Sequence, residues 1–73
     1  MTKRTNTIER FVTRFYQSPL ASVVACRQAS SDLALFTSAH ADRLRLLQSD
    51  AVAKGFDAVF TSTDTLRVSE SGR

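Results

Sequence analysis

The sequence predicts a small, mainly α-helical domain of three helices, with a short C-terminal β-hairpin, making an α+β domain, as the alternative. Three observations lead to this. Ile8, Phe11, Val12 and Phe15 recur at i, i+3, i+4 and i+7, the spacing of one helix face. Ser18-Pro19 combines a capping residue with proline at a first helical position. A third periodic stretch is framed by Ser38 in front and Gly55 behind.

The first helix is expected over residues 7–17. Asn6 caps it, and Glu9 follows three residues later at capping-box spacing. Tyr16 extends the apolar stripe at i+8, while Arg10, Thr13, Arg14 and Gln17 take the other face. Arg10 and Arg14 lie four residues apart, so their charges share one side. Proline at 19 biases Ser18 away from helical angles and ends this helix near Gln17.

The second helix is expected from Pro19 to about Gln28, either continuing to Phe36 or breaking near Ser30-Ser31-Asp32. Leu20, Val23, Val24 and Arg27 form one stripe, and Cys26, Ala29, Leu33 and Phe36 another. A single stripe does not serve both halves, which favours the break. The third helix is expected over residues 39–54, capped by Ser38. His40, Leu44, Leu47 and Ala51 form its inner stripe, flanked by Leu46 and Val52. Asp50 and Lys54 form an i,i+4 pair in the favourable order. Gly55 takes the left-handed position past the helix end, with Phe56 folding back on Ala51 or Val52.

Beyond Gly55 the period is ambiguous. Residues 56–60 are read as part of the core: Phe56, Val59 and Phe60 suit one helical turn, and Phe56, Ala58 and Phe60 suit a strand. Residues 61–68 are rich in β-branched side chains, and a hairpin turning near Thr63-Asp64 is the alternative, although no Asn-Gly or Asp-Gly signal marks it. No internal repeat is read.

The chain has 73 residues and is read as a single small domain, residues 1–73, with 1–5 and 69–73 flexible. A chain this short buries only about 60% of its unfolded surface, so stability is narrow. It carries 20 large apolar residues between Ile8 and Val68, five of them Phe, which suffices for one core. No apolar run reaches membrane-spanning length. The basic start Met1-Thr2-Lys3-Arg4 is not followed by the apolar region of a signal peptide. A lone thiol fits a reducing compartment. The expectation is a cytoplasmic protein with no membrane association.

Chemistry is sparse. One His, one Cys, two Gly and no Trp give no Gly-rich loop and no tetrahedral metal set, so no cofactor and no metal are expected. Cys26 and His40 are the candidates for nucleophilic catalysis. Asp42 is two residues from His40 and points elsewhere on a helix, so no orienting acid is evident. Cys26 reads as a small core residue. The seven acids are spread along the chain and read as solvating, capping and helix-pairing groups. The protein is therefore expected to be no enzyme, with no catalytic residue.

Charge is the informative feature. Residues 1–30 hold Lys3, Arg4, Arg10, Arg14 and Arg27 against Glu9, whereas residues 31–73 hold five bases against six acids. Such a field steers acidic partners. The partner-binding set is read as Lys3, Arg4, Arg10, Arg14, Tyr16 and Arg27, with Tyr16 as an exposed anchor. The expected function is a non-catalytic regulator that binds a larger acidic protein assembly, such as transcription machinery, through this basic N-terminal helical face. The alternative is a dimeric DNA-binding regulator. A helix-turn-helix over residues 19–48 would present His40, Arg43 and Arg45 to a groove, but the usual small turn residue is missing. The slightly acidic second part of the chain favours a protein over DNA. Homodimerisation is the further reading, because Phe11, Phe15 and Tyr16 are a heavy aromatic load for a short helix.

Overall fold

The computed structural model describes residues 7–30 and 32–70. It overturns the three-helix expectation: the chain is a small α+β domain with two α-helices on one face of a four-stranded antiparallel sheet. Helix α1 spans Thr7–Tyr16, and strands β1 (Ala25–Ala29) and β2 (Leu33–Thr37) follow it. Helix α2 spans Ala41–Ala53 and precedes β3 (Phe56–Ser62) and β4 (Thr65–Glu70). The sheet order is β1-β2-β4-β3. The plan is thus a helix followed by a hairpin, used twice, with β2 and β4 paired at the centre. Leu35 opposes Arg67 in the middle of that pairing.

The first helix forms where the periodicity places it. Ile8, Phe11, Val12 and Phe15 are all buried. Tyr16 is not: it stands at the end of the helix, 58% exposed, so the stripe does not extend to it. The Asn6 cap lies outside the described residues.

The second helix is where the sequence reading fails. Ser18-Pro19 does start a helix, with the Ser18 Oγ accepting from the Leu20 N–H at 3.2 Å, but only the single 3₁₀ turn Pro19–Ser22 results. The same hydroxyl donates to the Phe15 carbonyl at 2.9 Å, so one side chain closes α1 and opens the next turn. Residues 25–37 then form the β1–β2 hairpin. The two strands join between Ala29 and Leu33, the place read as a break, and the Ser30 N–H donates to the Leu33 carbonyl at 2.7 Å. The run Leu33-Ala34-Leu35-Phe36 has no helical stripe because β2 is a central strand. Ala34 and Phe36 enter the core, and Leu33 and Leu35 are half-buried on the opposite face. A helix-turn-helix over residues 19–48 is excluded by this hairpin.

The third helix is present as α2. Leu44, Leu47 and Ala51 form its buried stripe, whereas His40, Leu46 and Val52 are exposed. Ser38 does not cap it directly: His40 occupies the cap position and makes no side-chain cap bond. Gly55 does adopt the left-handed region, at φ +92°, and turns the chain into β3. The Gln48 Nε2 donates to the Ala58 carbonyl at 2.9 Å and ties α2 to that strand. The C-terminal hairpin turns at residues 63–64 and is half of the sheet rather than an appendage to a helical core. Its turn is held by Asp64, whose carboxylate accepts from the Ser62 and Thr65 hydroxyls at 2.8 and 3.1 Å. Those bonds hold the Asp64 carboxyl below the usual carboxylate range. Ser69 and Glu70, read as part of a flexible tail, belong to β4, while residues 1–5 and 71–73 lie outside the described residues.

One core joins both units. It contains Ile8, Phe11, Phe15, Phe36, Leu44, Leu47, Leu66 and Val68. Phe36 packs edge-on against Phe11 and Phe15, at ring-centroid distances of 6.1 and 4.9 Å.

Ser38 is buried, and it stitches three loops together. Its hydroxyl donates to the Val23 carbonyl at 2.6 Å and accepts from the His40 N–H at 2.9 Å. Its own N–H donates to the Asp64 carbonyl at 3.1 Å. Ser38→Ala strips two bonds from a site closed to water, and is expected to cost about 1–3 kcal/mol. For a domain of this size each kcal/mol lowers the thermal midpoint by about 4–8 °C, which a calorimetric scan reads directly.

Candidate partner-binding surface

The basic side chains of α1 are positioned by its buried stripe. With Ile8, Phe11 and Phe15 held against the sheet, Arg10 and Arg14 project one turn apart and both are exposed. They border a shallow hollow of about 280 Å³ whose other walls are Phe11, Lys54 and Phe56. Phe11 and Phe56 meet at 5.1 Å between ring centroids and form its apolar floor. The hollow lies between the two helices, because α1 supplies Arg10, Phe11 and Arg14 while the end of α2 supplies Lys54.

A second hollow, of about 320 Å³, shares Phe11, Arg14 and Lys54 with the first and continues past Phe15, Pro19, Leu20 and Leu47 to Asp50. The two make one groove, flanked along its length by Arg14 and Lys54. Lys54 is paired with Asp50 through the expected i,i+4 bridge. Both partners are more than a third exposed, so solvent screens the pair and it contributes little to stability. Among the described residues, no acidic side chain pairs with Arg10 or Arg14 at ion-pair distance.

The other members of the expected set are placed differently. Lys3 and Arg4 lie outside the described residues. Arg27 occupies the irregularity in β1 between Cys26 and Gln28. Its charge acts on Asp64 of the β3–β4 turn, and neither hollow bordered by Arg10 and Arg14 includes it. Tyr16 lines neither hollow and stands beside Cys26. The neighbouring Cys26 raises the Tyr16 hydroxyl above its ordinary range, with desolvation adding to the effect. The structure therefore joins Arg10 and Arg14 and leaves Arg27 and Tyr16 apart from them. In their place it supplies Lys54 and Phe56. Phe56 was legible as a residue folding back past Gly55, but nothing in the local spacing links it to Arg10.

Comparison with protein-family models, with curated proteins and with solved structures finds no match to this chain.

The nucleophile candidates do not assemble. Cys26 is half-buried on β1, and burial pushes its thiol up, against hydrogen bonds with Tyr16 and the Gln28 carbonyl. A raised thiol is predominantly protonated at neutral pH and is a poor nucleophile. His40 is exposed at the start of α2, with its backbone N–H on Ser38. Among the described residues no three His, Cys, Asp or Glu side chains stand where they would hold a metal ion. No described helix is long and apolar enough to cross a membrane.

Proposed function

We propose that this protein is a non-catalytic regulatory module that binds an acidic surface of a larger protein, with Arg10 and Arg14 as its primary contacts and the cytoplasm as its compartment. The observation that carries this reading is the pair of exposed arginines one turn apart on α1, without acidic partners among the described residues and set beside an apolar floor. Guanidinium groups are weakly hydrated and match carboxylates in bidentate geometry, so they suit a protein interface. A helix presents them without a backbone ordering cost. Such a contact adds on-rate and specificity through charge complementarity, and its apolar centre adds residence time.

Affinity capture from a host lysate, with and without nuclease, tests this reading. The expected result is a partner retained after nuclease treatment and released by raised salt, because exposed charges are screened within a Debye length of about 10 Å at 0.1 M. Recovery that disappears on nuclease treatment places the interaction on nucleic acid and ends this proposal.

A further inference from the structure

The geometry points to a defined occupant for the groove between α1 and α2: an acidic peptide segment of the partner that inserts one bulky apolar side chain between flanking carboxylates. This rests on the protein-binding reading above and goes beyond it by naming what the groove accepts.

The floor and the rim make separate demands. The floor is apolar, formed by Phe11 and Phe56 in the first hollow and by Phe11, Phe15, Leu20 and Leu47 in the second. At about 280 and 320 Å³, each hollow lies at the small end of ligand cavities, which run to roughly 1,000 Å³. Each has the scale of one or two side chains rather than of a cofactor. An apolar anchor seated there removes water from the exposed edge of Phe56 and from the aliphatic stems of Arg14 and Lys54.

The rim sets the charge. Arg10, Arg14 and Lys54 converge on the first hollow, and no acid lines it. The second has one acid, Asp50, which is already engaged by Lys54. A carboxylate arriving on the segment meets unpaired Arg10 and Arg14 on one wall. Arg10 and Arg14 are about 6 Å apart along the helix axis, so carboxylates on both sides of a single anchor reach them together. A nucleic-acid backbone fits less well. It offers no apolar side chain for the floor.

The test uses the full chain and fluorescent synthetic peptides read by anisotropy. One is glutamate-rich with a single central leucine, the second has serine in place of that leucine, and the third is an all-glutamate peptide of equal length. A single-stranded oligonucleotide is the fourth probe. The expected result is that the leucine peptide binds at least about tenfold more tightly than the serine and all-glutamate peptides, and that Arg14→Glu weakens it to their level. Equal binding of the three peptides overturns the anchor proposal and leaves the charge-based reading standing. Failure of all three peptides overturns the groove as an acidic-segment site, with the capture experiment deciding the broader reading separately. Preference for the oligonucleotide overturns both. Because the decisive comparison is between peptides, the result does not depend on a core variant folding.

Discussion

Phe36→Ala is expected to remove about half of the stability of this domain. Phe36 is fully buried on the central strand β2, and its ring meets the edges of Phe11 and Phe15 from α1. Truncating a buried phenylalanine costs about 3–5 kcal/mol, because the transfer energy is lost and the surrounding structure only partly collapses into the cavity. At roughly 0.05–0.15 kcal/mol per residue, a chain of this length holds about 4–11 kcal/mol in total. The variant therefore sits near the unfolding threshold. With a urea dependence of about 1–2 kcal/mol per molar, the midpoint is expected to fall by roughly 1.5–5 M with the slope unchanged. A loss under about 1 kcal/mol would mean that the side chain is not at the centre of the core. Phe36→Leu, which retains most of the volume, is expected to recover much of the loss.

The two helices were legible because each meets the sheet with one stripe. Ile8, Phe11 and Phe15 repeat the i, i+3, i+7 spacing of Leu44, Leu47 and Ala51, and all six are buried. Any helix that buries one face has that spacing, so it marks the helices and not the doubled helix-plus-hairpin plan. The connections do not mark the plan either: residues 17–24 separate α1 from β1, whereas only Lys54 and Gly55 separate α2 from β3. Gly55 was legible for a local reason, since a left-handed residue past a helix end favours glycine whatever surrounds it.

The hairpin β1–β2 was not legible, and the reason is tertiary. Ala25-Cys26-Arg27-Gln28-Ala29 is composed largely of residues that favour helices, or are neutral, in isolation. It is an edge strand, extended because β2 offers it a hydrogen-bonding partner. Its irregularity at Arg27 breaks the alternation that would have marked a strand. In β2 the two faces have different surroundings, the core on one side and half-buried Leu33 and Leu35 on the other, so the apolar run has no period at all. The hydroxyl-rich stretch after Phe60 behaved as its β-branched composition indicates, with Asp64 supplying the turn through its side chain rather than through an Asn-Gly pair.

The site was half legible for similar reasons. Arg10 and Arg14 lie on one helix, so their spacing fixes their relation. Lys54 and Phe56 join them through the packing of α2 and β3 beside α1, which no local pattern encodes. Tyr16 is exposed, as an anchor must be, but it stands at the end of the helix beside Cys26 and lines neither hollow. Of the three aromatics read as a surplus, Phe11 and Phe15 are absorbed by the chain's own core and Tyr16 stays exposed.

Charge reversal carries the second large effect. Arg10→Glu with Arg14→Glu replaces two attractive contacts with two repulsive ones, while leaving the buried face of α1 intact. Close charge pairs across interfaces couple by about 1.5 kcal/mol or more. Losing two therefore weakens binding by at least about 3 kcal/mol, or more than a hundredfold. Both side chains are exposed, so the fold is expected to be unaffected, and surface substitutions of this kind usually change stability by no more than about 0.5 kcal/mol.

The most direct measurement is nuclease-treated affinity capture by the wild-type chain and by the Arg10→Glu/Arg14→Glu variant side by side, with matched thermal unfolding curves for the two. The expected result is equal unfolding and loss of the captured partner from the variant alone. A partner recovered equally by both folded proteins would contradict the assignment of this face as the binding surface.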